Sequence, residues 1–274
     1  MTHGLAGITR RTILRAGVAG AAAASALHLR AALLFGAPDA EATLPKSGES
    51  LPVGTQAGSV RALLAGGGSS HDFETYFHLA DSAALKSAGG IVTAYTSNVD
   101  EAIAQLTNAD VLVLSANHPT FGRPEFQKAI NAFADTGRGI VIFHAAVWYN
   151  WQNAPAYNQR FVGGGARSHG RGEFTVFNRQ PAHPVMRGVP SEFRIIDEQY
   201  RLVLNSGAPV DVLAETSPEA ESGQPYSSVW VVKDPKARIV NIALGHAAEA
   251  HGNPAYQALL VDAVRWVAQG RLSS

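Results

Sequence analysis

The chain has 274 residues, no cysteine, and 22 basic (Lys and Arg) against 22 acidic side chains. Because there is no thiol, disulfide bonds, thiolate metal sites and cysteine nucleophiles are excluded. Residues 1–42 hold four arginines and two acidic residues, so the remainder has 18 basic and 20 acidic residues. This balance leaves no electrostatic footprint for nucleic acid. No apolar run has the length of a stable membrane span.

The first 42 residues are typical of an export signal. A twin-arginine pair, Arg10-Arg11, stands in a basic segment, and an Ala/Gly-rich apolar run follows it. Small-residue cleavage sites occur at Ala24-Ser25-Ala26 and at Ala40-Glu41-Ala42, and we favour the second. We therefore predict a Tat-type signal peptide over 1–42, a flexible Pro/Gly/Ser-rich linker over 43–57, and a periplasmic or extracellular domain over 58–272.

Apolar runs alternate with helical patterns in the first part of this domain, which predicts a βαβ series. Strands are predicted at Val60–Ala65, Ile91–Thr96 and Asp110–Ser115, and a fourth in the stretch Gly137–His144, which opens on glycines and ends on the histidine. Asn98 and Asn253 are predicted helix N-caps, and Pro124 is a predicted first helical residue. Short apolar runs bounded by glycine are typical of strands buried on both faces. The predicted fold is therefore α/β, a flavodoxin-like three-layer sandwich with a mainly parallel central sheet.

The pattern is less regular after His144. Residues 145–172, rich in aromatic side chains and glycine, are predicted to form an ordered loop with a short helix. Further strands are predicted at Glu173–Phe177, Phe193–Ile196, Val210–Ala214, Ser227–Val232 and Arg238–Leu244. We expect this half to extend the same sheet rather than to form a second domain.

Three histidines are candidate site residues. His144 and His246 each follow a predicted buried strand, and His169 follows three glycines. In open parallel sheets the ligand crevice lies beyond the carboxyl ends of the strands, so the three side chains are expected to converge there. Converging imidazoles can serve as general acids or bases or can bind a divalent metal such as zinc. A purely structural role for a buried histidine remains the alternative. His78 and His251 are expected to be solvated.

Two acidic positions join these candidates. Asp197 and Glu198 follow a predicted strand on opposite pleats, so only one should enter the site, and we favour Glu198 over a solvated surface role. His71 and Asp72 follow the glycines after the first strand and are expected to face the crevice. Asp72 has an equal alternative, which is to favour the dipole of the helix that starts there.

Other chemistries lack their motifs. The glycines of the first strand's turn do not have the spacing of a nucleotide-binding loop, and the chain has neither a G-x-S-x-G elbow nor H-E-x-x-H. Four aromatic residues lie beyond His144 and could stack on sugar faces or simply pack in the loop: Trp148, Tyr149, Trp151 and Tyr157.

Six short motifs, taken in order, resemble one known family. They are Gly67-Gly68 with His71-Asp72, the glycine-led strand ending in His144, Phe161-Val162-Gly163-Gly164 before His169, His183-Pro184-Val185 with Gly188-Val189-Pro190, Asp197-Glu198-Gln199-Tyr200, and Leu244-Gly245-His246. Together they resemble the ThuA-like (trehalose utilisation) domain, which is related in fold to class I glutamine amidotransferases. The amidotransferase cysteine is replaced by His144, so the resemblance implies no glutaminase activity.

The resemblance implies an enzyme of disaccharide catabolism that acts on a small sugar, a 3-keto-glycoside made by a partner sugar dehydrogenase. In this interpretation Glu198 or His144 is the base, and His169 and His246 hold the enolate directly or through a metal bound by His144, His169 and His246. The implied sugar-binding residues are His71, Asp72, Trp148, Tyr149, Arg167 and Tyr200. A non-catalytic sugar-binding or scaffold protein remains the alternative, and self-association into a homo-oligomer stays open.

Overall fold

Nine strands form one sheet in the computed structural model, which describes residues 49–52, 58–117, 119–148 and 154–270. The strands are β1 (Val60–Gly67), β2 (Ile91–Thr96), β3 (Val111–Ala116), β4 (Gly139–Phe143), β5 (Gly164–Asn178), β6 (Glu192–Leu204), β7 (Val210–Thr216), β8 (Ser227–Lys233) and β9 (Arg238–Ile242). Residues 1–42 lie outside the described part, as does the predicted linker apart from 49–52. The export signal therefore stays a prediction.

The sheet is mixed, and the predicted mainly parallel sheet is wrong. Its strand order is β2-β1-β3-β4-β9-β8-β7-β5-β6. The pairs β2-β1, β1-β3, β3-β4 and β4-β9 are parallel. The pairs β9-β8, β8-β7, β7-β5 and β5-β6 are antiparallel. The cause is local to the second half. No helical crossover long enough for parallel pairing separates its strands, so they return as antiparallel neighbours.

Three helices begin at the positions that Asn98, Pro124 and Asn253 predict. The described helices are α1 (Ser82–Ser87), α2 (Val99–Gln105), α3 (Pro124–Asp135), α4 (Pro155–Tyr157), α5 (Ala248–His251) and α6 (Pro254–Ala268), with a π-helical segment over Phe73–Asp81 before α1. The side chain of Asn98 accepts hydrogen bonds from the backbone of α2, and that of Asn253 from the backbone of α6. None of the described helices has the length and apolarity that crossing a bilayer requires.

The apolar strands are buried on both faces. Along β4, Val141 and Phe143 belong to one cluster of buried side chains, and Ile140 and Ile142 belong to another. Successive strand residues point to opposite faces, so the two clusters cover the two sides of the sheet. Helix α6 contributes to the first cluster and helices α2 and α3 to the second. This arrangement explains why these strands are continuous apolar runs.

An ion pair fixes the segment that leads from the 145–162 region into β5. Arg160 donates to Asp234 Oδ2 at 2.9 Å, and also reaches Asn131 Oδ1 and Asp135 Oδ1 of α3. Asp234 further accepts from the backbone N–H groups of Lys236 and Ala237. Burial raises the pKa of Asp234, but these hydrogen bonds outweigh burial and hold the pKa below its ordinary value.

Replacing Asp234 with asparagine is expected to lower the free energy of unfolding at pH 7 by about 1–3 kcal/mol, because charge-assisted hydrogen bonds are lost. A depressed carboxyl pKa stabilises the fold above the unfolded-state pKa and ceases to do so as pH falls through the folded-state pKa. The difference between wild type and variant should therefore shrink under acid conditions. Urea midpoints at pH 7 and at acid pH measure the difference. The control is Asp211→Asn, which removes a carboxylate that pairs with Lys233 but has 46% of its side chain exposed. Equal midpoints for wild type and Asp234→Asn at pH 7 would contradict the expectation.

Candidate functional site

A cavity of about 360 Å³ opens where the carboxyl ends of β1, β4 and β9 meet β5 and β6. Its lining residues combine imidazole, carboxylate, hydroxyl, amide and aromatic side chains: Ser69, Ser70, His71, Asn117, Ala145, Trp148, His169, Glu198, Tyr200 and His246. The volume falls within the range of small-molecule binding pockets. A pocket therefore exists beyond the carboxyl ends of the parallel strands, where the ligand crevice was predicted.

His144 lies at the base of this cavity and has only 1% of its surface exposed. Its Nδ1 is 2.8 Å from the carbonyl oxygen of Ala243. A carbonyl only accepts hydrogen bonds, so Nδ1 carries the hydrogen and Nε2 carries the lone pair. The Tyr200 hydroxyl lies 3.0 Å from that Nε2 and its ring stacks on the imidazole. Burial raises the pKa of Tyr200 well above its ordinary value, so this hydroxyl stays protonated and donates.

The backbone at the site is held in uncommon conformations. Among the described residues other than glycine, positive φ occurs at Ser70 (69°) and His144 (34°). Ser70 lines the cavity and His144 lies directly beneath it. L-residues rarely adopt such angles, and strain of this kind concentrates at functional sites. The turn after β4 thus aims the His144 ring back toward β6 instead of continuing the strand.

Glu198 is the carboxylate on which the imidazoles converge. Its Oε2 lies 3.4 Å from His144 Nε2 and 3.2 Å from His246 Nδ1, and its Oε1 lies 3.6 Å from His169 Nδ1. Burial raises the pKa of Glu198, but the nearby imidazoles of His144, His246 and His169 outweigh it and lower the pKa. Only 8% of the residue is exposed, so the solvated surface role considered for it is wrong.

Asp197 supports the site from behind. Its carboxylate accepts from the backbone N–H of Gly245 at 2.7 Å and of His246 at 3.0 Å. It is buried, with 2% exposed, and lies on the pleat opposite to Glu198. Of the two carboxylates, Glu198 is the one whose oxygens lie beside the histidine rings. The neighbouring carboxylate holds the backbone that presents His246.

His71 and Asp72 were both expected to face the crevice, but only His71 lies among the site residues. The His71 ring lies 4.9 Å from that of His144 and 4.8 Å from that of His246, between ring centroids, so it belongs to the site. The Asp72 side chain instead accepts from the Thr75 N–H and caps the π-helical segment. Asp72 is exposed, and the cavity lining does not include it. The contacts of Asp72 therefore fit the alternative role, which is to stabilise the start of a helix.

A family model described as trehalose utilisation (ThuA) matches residues 61–267, which is most of the chain. This chain belongs to the ThuA family. Membership implies a role in trehalose utilisation. No protein with curated functional information is significantly similar to the sequence.

Solved structures support the ThuA fold. A ThuA-like protein from Parabacteroides merdae is 22% identical, with a TM-score of 0.68 over 79% of this chain and 92% of that one. A ThuA-like protein from Bacteroides uniformis is 21% identical, with a TM-score of 0.65 over 80% and 95%. A cytoplasmic protein from Salmonella typhimurium is 12% identical, with a TM-score of 0.57 over 78% and 100%. At these identities the likeness concerns the fold alone.

The other residues expected to bind sugar in this ThuA domain do not all lie at the cavity. Trp148 lines the cavity, 5.2 Å from the Tyr200 ring and 5.8 Å from the His169 ring between centroids. Arg167 is exposed on β5, and the cavity lining does not include it. Tyr149 lies outside the described residues, as does Trp151. The buried Tyr157 donates to the carbonyl of Ala146, so its contacts are those of loop packing.

The metal set proposed from the sequence is arranged differently. Ligand atoms of His71, His144, Glu198 and His246 all lie within 4.8 Å of one another, and His169 is not part of this group. His169 instead stands at the cavity surface, with 39% of its side chain exposed. The ThuA site thus has an inner cluster of three histidines and Glu198, and one outer histidine that contacts the same carboxylate.

Sequence reasoning missed a buried network behind the inner cluster. His251 Nδ1 lies 2.7 Å from Asp81 Oδ1, Tyr256 donates to Asp81 Oδ2, and His251 Nε2 lies 3.1 Å from the Gly245 carbonyl. His251 is 4% exposed and His78 is 2% exposed, so the prediction that both are solvated is wrong. Burial lowers the pKa of His251, but the nearby Asp81 carboxylate outweighs it and raises the pKa. The partners are 170 residues apart, so no local pattern could reveal them.

Proposed function

We propose that this protein cleaves a 3-keto-glycoside, an oxidised disaccharide such as 3-ketotrehalose, by elimination followed by addition of water. The observation that carries the proposal is the composition of the cavity. Within the described residues, four imidazoles and a single carboxylate, that of Glu198, meet at or directly beneath one pocket. Ordinary glycosidases use two opposed carboxylates. The cavity therefore favours proton abstraction next to a carbonyl.

The chemistry balances without a redox step. The 3-keto group acidifies the C2 proton, a base removes it, and an enolate forms. Collapse of the enolate breaks the C1–O bond, and the departing sugar oxygen takes a proton. Water then adds its oxygen to C1 and a proton to C2, which regenerates the keto sugar. The reaction needs a base and a group that holds negative charge on the 3-keto oxygen.

His169 is the best placed base. It lines the cavity, it is the most exposed imidazole of the site, and imidazole is the commonest general base in enzymes. Glu198 lies 3.6 Å from its Nδ1 and would hold the ring and stabilise the imidazolium. A lowered pKa makes the Glu198 carboxylate itself a weak base. His144 is less suited, because both of its ring nitrogens already contact protein atoms.

The remaining lining groups would bind the substrate. His246 faces the cavity beside Glu198, where a ring N–H can hold the 3-keto oxygen as charge develops on it. Trp148 and Tyr200 provide aromatic faces on which a sugar ring can stack. Ser69, Ser70 and Asn117 add hydrogen-bonding groups on the opposite side. In this proposal a separate sugar dehydrogenase supplies the keto group, and the twin-arginine signal directs the protein out of the cytoplasm.

Product analysis tests the proposal directly. The purified protein is mixed with 3-ketotrehalose and, in parallel, with trehalose, and products are separated and quantified. We expect glucose and 3-ketoglucose from the keto sugar and no cleavage of trehalose, because only the keto sugar has an acidified C2 proton. In deuterated water, deuterium should appear at C2 of the product, since the final proton comes from solvent.

Two other outcomes contradict this function. Equal cleavage of both sugars would indicate ordinary glycoside hydrolysis. No cleavage of either sugar, together with a rise in melting temperature on adding the keto sugar, would favour the non-catalytic sugar-binding protein. The polar and aromatic lining of the cavity is compatible with that alternative, so the product assay separates the two.

A further inference from the structure

The inner cluster has the composition of a metal centre. Four separate parts of the chain contribute to it: the turn after β1 (His71), the end of β4 (His144), β6 (Glu198) and the turn after β9 (His246). One ligand atom from each lies within 4.8 Å of every other. With the imidazoles in the neutral form that metal ions bind, three of them and one carboxylate carry a net charge of −1, which a divalent cation would more than balance. Nitrogen and oxygen donors of this kind are the ligands that zinc prefers.

Backbone carbonyls fix two of the imidazoles in the tautomer that a metal requires. His71 Nδ1 lies 3.1 Å from the Ser69 carbonyl, and His144 Nδ1 lies 2.8 Å from the Ala243 carbonyl. Each Nδ1 therefore carries hydrogen, and each Nε2 directs a lone pair into the cluster. Metal-binding histidines are oriented in this way by carbonyl or carboxylate partners.

Two nitrogens of the cluster are left without hydrogen bonds. His71 Nε2 and His246 Nδ1 are buried and have no partner within the described structure. His246 Nδ1 lies 3.2 Å from Glu198 Oε2, but the atoms are not aligned for a hydrogen bond. Buried polar atoms are nearly always satisfied, so each exception calls for a reason. Both nitrogens point into the same small space beside an anionic carboxylate.

We propose that His71 Nε2, His144 Nε2, His246 Nδ1 and Glu198 Oε2 bind one zinc ion. The ion would satisfy both orphaned nitrogens and neutralise the carboxylate at once. Tyr200 would have to give up its hydrogen bond to His144 Nε2, which frees its hydroxyl for a ligand in the cavity. Glu198 Oε1 stays directed at His169, so the outer histidine remains outside the coordination sphere. The inference shares its site with the proposed function but does not depend on any sugar.

Metal content without substrate tests this inference. The full-length protein is stripped with a chelator, dialysed and titrated with ZnCl₂, with MgCl₂ as the contrasting hard cation. We expect one equivalent of bound zinc, a higher melting temperature with zinc, and no saturable magnesium binding. Removing a supporting partner costs about 10–100-fold in metal affinity, so loss of a direct ligand in His71→Ala should weaken zinc binding by more than about 100-fold.

Matched variants decide which residues bind the ion. His169→Ala, which removes an imidazole on the same cavity, should retain one equivalent of zinc. His246→Asn is a second ligand variant should His71→Ala fail to fold, with circular dichroism as the check. The proposal is overturned if the stripped wild type takes up no zinc, if both ligand variants bind zinc as the wild type does, or if His169→Ala loses as much zinc as they do. Keto-sugar cleavage by the metal-free protein would leave the proposed function standing while zinc binding is judged separately.

Discussion

His169→Ala is expected to lower the turnover of 3-ketotrehalose by about 10²–10⁴-fold, the usual contribution of a general base. The substitution removes the imidazole that lines the cavity beside Glu198 and leaves the inner cluster of His71, His144 and His246 intact. Folding should be preserved, because 39% of the His169 side chain is exposed. The measurement is the initial rate of glucose release at saturating keto sugar.

A base that has been deleted from an open cavity can be replaced from solution. Millimolar imidazole is therefore expected to restore part of the activity of His169→Ala, and a purely structural role for His169 would not give such rescue. Glu173→Ala is the matched control, since Glu173 also lies on β5 with 45% of its side chain exposed. Wild-type turnover in His169→Ala would show that another group removes the C2 proton, even if the elimination itself has been demonstrated by product analysis.

Gly139→Ala is expected to lower the free energy of unfolding by about 3 kcal/mol or more, at the upper end of what overpacking costs. Gly139 begins β4, and a Cβ there would overlap the backbone carbonyl and the side chain of Val267 on α6. Backbone atoms of a packed helix cannot rotate away as a side-chain tip can. The substitution must therefore displace α6 from β4, the strand that ends at His144.

Glycine at position 172 provides the control. A Cβ at Gly172, on β5, would meet no atom within 4 Å, and Gly172 is not among the residues with positive φ. Gly172→Ala should change stability by less than about 0.5 kcal/mol. Urea denaturation of both variants measures the difference. Similar midpoints for Gly139→Ala and Gly172→Ala would mean that the contact between β4 and α6 is not the close approach described here.

The parallel half of the sheet was predictable because its signals are local. Each strand there is a short apolar run bounded by polar or glycine residues, and each run is buried on both faces as that pattern predicts. Asn98, Pro124 and Asn253 marked the helix starts through their own capping chemistry. The adjacency of β4 and β9 was not predicted, but once it exists, His144 and His246 must lie at the same edge, because parallel strands share their carboxyl ends.

The long antiparallel pair of β5 and β6 was not predictable in this way. Residues 164–172 are mainly glycine and polar side chains with no alternation, so they were expected to be loop. These residues belong to β5 because β6 pairs with β5 over nearly the whole length of that strand, from Gly164 opposite Leu204 to Phe177 opposite Glu192. That pairing sets His169 opposite Tyr200 and brings Glu198 into the cavity lining. Pairing partners are a tertiary property, and the sequence of one strand does not specify them.

By itself, the sequence determined the buried strands, the helix starts, the absence of thiol chemistry and the residue types of the site. Only the tertiary structure decided which of those residues meet. It placed His71 and Glu198 in the inner cluster, set His169 apart at the cavity surface, and joined Asp81 to His251 behind them. The physical reason is the distance along the chain over which each kind of interaction acts. Capping and burial patterns act over a few residues. The contacts that make the site join residues that are 29 positions apart (His169 and Glu198) to 175 positions apart (His71 and His246), through a strand order that no single segment encodes.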